Sequence, residues 1–227
     1  MTDTKPSNVL AARGALIARL RELGDPARAI QEKRYHKSRW EHWGVSTPKL
    51  DLALREIAAP LDPSTVLRLG RDLWPEKVWD LRMAAARMLT RKSIPADGTL
   101  WRFVTARMSD LDGWAVADNL SVVGARCLIG DPGRLDVVET WVESPHLWTR
   151  RASFVFTLPW TKGAGDPERM LGWAARLKGD PEWFIQKAIG WWLRELSKRD
   201  PARVRRFLVE HGSALKGVAK REAGKYL

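Results

Sequence analysis

Apolar positions along the chain recur at helical spacing. Val9, Leu16, Leu20 and Leu23 fall on one stripe, Leu67, Leu69 and Leu73 on another, and Val204, Phe207 and Leu208 on a third. Residues three, four or seven apart share one face of an α-helix, so each set can be buried while the intervening polar positions meet water. No period of two is sustained, and Asp97-Gly98 and Asp112-Gly113 lack the β-branched flanks of a hairpin. The pattern predicts an all-α fold.

Asp-Pro pairs at 25–26, 62–63, 131–132, 166–167, 180–181 and 200–201, with Thr47-Pro48, punctuate these stripes. A carboxylate or hydroxyl can accept from the free amides of a first helical turn, and proline suits the first helical position. The expected helices are 6–23, 26–37, 48–58, 63–72, 76–91, 97–108, 113–127, 132–142, 146–158, 167–177, 181–198, 201–211 and 214–226. Their connections are short, so neighbours should pack antiparallel. Trp79, Trp114, Trp148 and Trp183 recur at intervals of 35, 34 and 35 residues, each opening a helix that follows a shorter one. Helix pairs of that length form solenoids, and the tetratricopeptide consensus is absent. The expectation is one domain over 1–227, with a helical cap over 1–60 and tandem pairs over 61–227. It would be a HEAT-like helical repeat solenoid, an αα superhelix with a concave basic face. Trp79, Trp148 and Trp183 are read as core.

Charge narrows the function. The net charge of +12, from 39 Lys+Arg against 27 Asp+Glu, points to a polyanionic partner, nucleic acid before membrane surface. Thirteen tryptophans against two tyrosines and five phenylalanines leave the aromatic work to indoles. Cys127 is the lone cysteine, and His36, His42, His146 and His211 have no metal-ligand spacing, so neither metal nor cofactor is expected. The first residues lack a signal-peptide pattern and no apolar run could span a bilayer, which predicts a cytoplasmic protein without a membrane partner. Phosphate-binding glycine loops, nucleophile elbows and zinc-protease motifs are missing, and no lysine stands out as a Schiff-base nucleophile.

Candidate chemistry gathers on the second helices of the repeats. Trp114 and Asp118 are four apart, as are Lys187 and Trp191, while Trp148 and Arg151 are three apart, so each pair shares a face. Equivalent faces of neighbouring repeats would bring indole, carboxylate, guanidinium and second indole together. Taken alone, Asp118 would be a solvated or capping carboxylate and Arg151 a stacking arginine. Arg82, Arg150, Lys187, Arg194, Lys216, Lys220 and Arg221 are candidate phosphate contacts.

The run Phe184-Ile185-Gln186-Lys187-Ala188-Ile189-Gly190-Trp191, continued by Leu193-Arg194-Glu195, resembles the signature of the bacterial AlkD-type alkylpurine DNA glycosylases. Trp43-Gly44-Val45-Ser46-Thr47-Pro48, Leu73-Trp74 with Arg82 and Ala84 to Ala86, and Lys220-Arg221-Glu222-Ala223 are similar to other family segments. The resemblance implies that Asp118 is the catalytic carboxylate, with Trp114 and Trp191 on the deoxyribose of the lesion and Arg151 beside it. It further implies a nucleoid-associated bacterial enzyme, and a solenoid capped at both ends is expected to be a monomer. Its partner would be double-stranded DNA containing alkylated purines, excised without flipping the base into a pocket. Ala115 departs from the acidic residue many members carry there. A non-catalytic DNA-binding relative and a protein-binding scaffold are the alternatives.

Overall fold

The computed structural model describes residues 6–227, and the absence of a signal pattern in the first five lies outside them. Thirteen α-helices are present among the described residues, with no strand. The chain divides into two compact units, Met1–Val123 and Gly124–Leu227. The first holds α1 (Pro6–Glu22), α2 (Pro26–His36), α3 (Thr47–Ala53), α4 (Pro63–Leu73), α5 (Trp79–Met88) and α6 (Gly98–Thr105). The division falls inside α7 (Trp114–Gly130). The second holds α8 (Leu135–Val142), α9 (Leu147–Phe156), α10 (Glu168–Arg176), α11 (Trp183–Ser197), α12 (Pro201–His211) and α13 (Gly217–Ala223).

The aspartates before proline act as expected where the chain is free to turn. Asp25 accepts from the amides of Ala27 and Arg28, Asp62 from Ser64 and Thr65, and Asp200 from Arg203. Asp97, outside any Asp-Pro pair, caps α6 through the amides of Thr99 and Leu100. Thr47 lies inside α3 rather than before it, and the capping position is Ser46. The helix expected over 48–58 changes at Leu54 into a π turn, closed by Ala59 N–H to Leu54 O at 2.9 Å.

The first unit packs α4 against α1 and α5, burying Val66, Leu69 and Leu73, while Leu67 is half-buried. Its second helix of the pair starts at Trp79 rather than 76, because Val78 is drawn into an extended conformation. Trp79 N–H donates to Glu41 O (2.8 Å) and Glu41 N–H to Lys77 O (3.0 Å), a single parallel bridge between Glu41 and Val78. The strap of residues 41–45 is then anchored by Asp80, a carboxylate 1% exposed. Its two oxygens accept from Trp43 N–H (2.7 Å) and Val45 N–H (2.9 Å). Burial pushes the Asp80 carboxyl upward, and those amides pull it back. Gly44 lies between them at φ 76°, where a Cβ would sit 2.2 Å from Asp25 O, so the strap admits only glycine here.

The strap positions an aromatic stack. His42 lies on Trp79 (4.9 Å, 17°), and His36 also lies on Trp79 (4.9 Å, 29°) and tilts over Trp114 (5.5 Å). These histidines are packing residues. Neither ring nitrogen of His42 has a hydrogen-bond partner among the described residues. Burial, with the neighbouring His36 and Lys33, brings the His42 pKa down to about 4.

In the second unit α9 packs on α8 and α11, and α11 also packs on α12 and α13. Gly190 permits the closest approach, since a Cβ there would lie 2.8 Å from Ala219 Cα. Gln186 is fully buried, with Nε2 facing the carbonyls of Leu177 (3.2 Å), Lys178 (3.0 Å) and Asp180 (3.2 Å), and Oε1 accepting from Lys216 N–H (3.0 Å). Two residues depart from the expected core. Trp148 is only half-buried. Trp183 is 52% exposed, because the first residue of α11 faces outward and Phe184 instead packs against Trp148 (4.8 Å).

Two stability predictions follow from the strap and the stack. Asp80→Ala should destabilise the protein by roughly 2–5 kcal/mol in urea unfolding, because two buried amides lose their acceptor at about 1–3 kcal/mol each. Asp80→Asn should recover part of that. For His42, the folded pKa lies below the ordinary 6.5, so the unfolded chain takes up the proton first. The contribution is complete above pH 6.5 and is lost as pH falls through about 4. Its size is on the order of 3 kcal/mol. His42→Phe, which keeps the stack without a titrating nitrogen, should flatten that acid limb in thermal melts. An unchanged limb would mean that other groups set it.

Candidate active site

Trp114 and Asp118 lie in the first turns of α7, four residues apart, and both line one cavity of about 430 Å³ in the first unit. Both side chains are half-buried. The strap-borne stack forms part of the wall, through His36 and Trp79, and Tyr35 of α2 meets Trp114 edge-on at 6.4 Å. A carboxylate is thus set among ring faces, in a place with less water than the open surface. Ala115 is buried on the same wall, and its carbonyl accepts from the Asn119 amide at 2.9 Å. At Ala115, the departure noted in the sequence, the wall thus carries an apolar methyl.

Arg151 and Trp191 belong to the second unit, on the adjacent helices α9 and α11. Arg151 is 5% exposed and Trp191 half-buried. The neighbouring Trp192 is fully buried and donates Nε1–H to Thr157 O at 3.3 Å, so the two successive indoles of α11 divide between core and partial exposure.

The basic positions separate into two groups. Arg82 is 6% exposed, its guanidinium stacked 3.8 Å from the Trp40 ring and donating to Glu76 O (3.1 Å) and Asp110 O (3.4 Å). Arg150 donates to Asp180 (2.8 Å) and to Ser144 O (2.6 Å). Both guanidinium groups are thus engaged within their own unit. Lys216, Lys220 and Arg221 are exposed around α13. Lys187 and Arg194 share Glu222, with Lys187 Nζ at 2.5 Å. The Lys187 hydrogen bond, helped by the charge of Arg194, holds the Glu222 carboxyl below the usual carboxylate range.

The sequence reading did not anticipate the part taken by α2, because that helix has no buried residue and so shows no core stripe. The available signal was local: Tyr35, His36, Trp40, His42 and Trp43 place five rings within nine residues, a density that suggests ring stacking. Among the described residues no group of three or more His, Cys, Asp or Glu side chains could hold a metal ion, and no helix is long and apolar enough to cross a membrane.

Three solved structures share the fold. One, from Enterococcus faecalis, is described as a predicted DNA alkylation repair enzyme. It is 18% identical, with a TM-score of 0.76 over 90% of this chain and 96% of its own. The smu.31 protein of Streptococcus mutans UA159 is 20% identical, with a TM-score of 0.62 over 95% and 99%. AlkD2 from Streptococcus mutans is 22% identical, with a TM-score of 0.61 over 87% and 97%. At these identities the likeness speaks for the fold, a helical repeat. No curated protein matches the chain. A family profile for the DNA alkylation repair enzymes matches residues 16–227, nearly the whole chain, and the protein therefore belongs to the DNA alkylation repair enzyme family.

Proposed function

We propose that the protein is a monofunctional DNA glycosylase that hydrolyses the N-glycosidic bond of cationic alkylated purines, N3-methyladenine and N7-methylguanine, in duplex DNA. The observation that carries this reading is the pairing of Asp118 with Trp114 on one partly enclosed wall. A purine alkylated at N3 or N7 already bears positive charge, so its glycosidic bond is weak and the base leaves as a neutral species without a general acid. What remains is to stabilise the cationic sugar and to supply water. A carboxylate near the anomeric carbon does the first through its charge and orients the second. An indole face adds cation–π attraction to the same developing charge. One such fixed group contributes about 3 kcal/mol, or roughly two orders of magnitude in rate, which suffices for a labile lesion and is too little for a neutral base.

Arg151 and Trp191 carry the sequence pattern of the same reaction, and we assign them to the lesion-bearing nucleotide. Phosphate binding falls to Lys187, Arg194, Lys216, Lys220 and Arg221, which position the duplex without reading sequence. The enzyme acts as a cytoplasmic monomer in this reading.

Asp118→Asn should lower single-turnover release of N7-methylguanine from duplex DNA by about two orders of magnitude while leaving duplex affinity intact. An unchanged rate would remove Asp118 from the reaction. Affinity for undamaged duplex should fall with salt at a log–log slope of roughly −4 to −5, from about 0.9 per phosphate over five basic contacts. A flat response in a binding titration would favour a protein-binding scaffold instead.

A further inference from the structure

Glu222 of α13 is one carboxylate shared by two cations of α11. Its Oε1 accepts from Lys187 Nζ at 2.5 Å, and its Oε2 pairs with a terminal nitrogen of Arg194. Lys187 and Arg194 are two turns apart on one helix, so their backbones stand about 10 Å from one another along its axis. A single carboxylate reaches both because it arrives midway between them. Gly190 lies at that point. A Cβ on it would come within 2.8 Å of Glu222 Cβ and of Ala219 Cα, so its missing side chain is what admits α13 so close. With its carboxyl held below the usual range by the Lys187 hydrogen bond, Glu222 carries its charge at neutral pH.

The arrangement has a direction. At about 100° per residue, Lys187 and Arg194 fall between Gly190, which faces α13, and Trp191. Both side chains are long and flexible, and a cation over an indole face is attracted to it, so each can swing onto Trp191 unless it is restrained. Glu222 draws them the other way. Among the described residues no cation lies over the Trp191 ring, and Lys187 Nζ stands 6.0 Å from the Trp183 ring instead. The charge left over is positive. Arg194 also lies 3.4 Å from Glu195, which Lys198 holds at 2.8 Å, so three cations face two carboxylates. Lys220 and Arg221 of α13, both exposed, add to that excess.

We propose that Glu222 is a positioning residue: it holds Lys187 and Arg194 on the α13 side of α11, clear of the Trp191 ring, where they meet phosphates of the strand whose damaged nucleotide lies against Trp191. The proposal rests on the glycosylase reading for the damaged nucleotide, and on the shared ion pair for the placement of the cations. Gripping a phosphate with a lysine and an arginine costs side-chain entropy, and a carboxylate that has already ordered them lowers that cost. Donors remain for the phosphates, since one carboxylate cannot use every N–H of an ammonium and a guanidinium together. The backbone is then fixed in register against the indole, and small displacements of a reacting nucleotide are costly in rate. Glu222 acts through its two cations.

The test is a double-mutant cycle. Wild type, Glu222→Gln, the pair Lys187→Gln with Arg194→Gln, and the triple variant are compared. Each is measured for single-turnover release of N7-methylguanine from duplex at saturating protein, for affinity to undamaged duplex, and for melting temperature. We expect Glu222→Gln to slow release about tenfold, the scale of a modest misplacement of the nucleotide. Duplex affinity should tighten severalfold in the same variant, because a negative charge beside the phosphates is gone. In the background lacking both cations, Glu222→Gln should change neither quantity. Tighter binding with an unchanged release rate would overturn the proposal, leaving Glu222 as a counter-charge only. Slowing of equal size in both backgrounds would overturn it too, since Glu222 would then serve the packing of α13; this comparison holds even where a variant melts lower. Absence of release by wild type would overturn the glycosylase reading, and the placement of the cations would be decided by affinity alone. Tightening that vanishes without the two cations keeps Glu222 acting through them, and an equal change in both backgrounds removes it.

Discussion

The buried carboxylate of Asp80 is the constraint on which the first unit turns. A fully enclosed charge is costly unless every lone pair is used, and Asp80 meets that demand by gathering the amides of Trp43 and Val45 from a strap 35–37 residues away. The strap in turn presents His42 to Trp79, and His36 of α2 joins the same stack, its ring 6.2 Å from that of His42. Since α2 buries no residue of its own, its docking depends on these ring contacts and on short connections. The α2 side of the cavity that Asp118 lines therefore depends in part on the Asp80 anchor.

The second unit solves a similar problem with neutral groups. Gln186 takes the loose carbonyls at 177, 178 and 180 and the Lys216 amide, tying the end of α10 and the start of α13 to α11. Gly190 then lets α11 and α13 approach so closely that a methyl group would meet backbone. Much of the family-like run at 184–195 is thus scaffold: Gln186, Gly190 and Trp192 hold helices together, while Lys187, Trp191 and Arg194 keep some exposure. A motif of this kind mixes residues kept for packing with residues kept for chemistry, and spacing alone does not separate them.

Electrostatics divides the labour further. Surface lysines and arginines give the molecule its attraction for a polyanion, which is long-ranged and weakened by salt. The Asp118 wall acts over a few ångströms, where partial burial strengthens charge–charge and charge–quadrupole effects.

By itself the sequence determined the class and the punctuation. Aspartate caps, prolines and apolar spacing act over four residues or fewer, so thirteen helices and the register of Trp79, Trp114, Trp148 and Trp183 as helix openers were legible without a structure. The family likeness was legible too, since the run at 184–195 is contiguous. Tertiary structure decided which of those side chains are enclosed. Trp183 and Trp79 occupy equivalent repeat positions, yet one is 52% exposed and the other 7%. Arg82, read as a phosphate contact, is stacked on Trp40 beneath the surface, and Asp80, unremarked in the sequence, is the anchor of the strap. Burial depends on what arrives from some 30 residues or more away, and neither cap chemistry nor helical period carries that information.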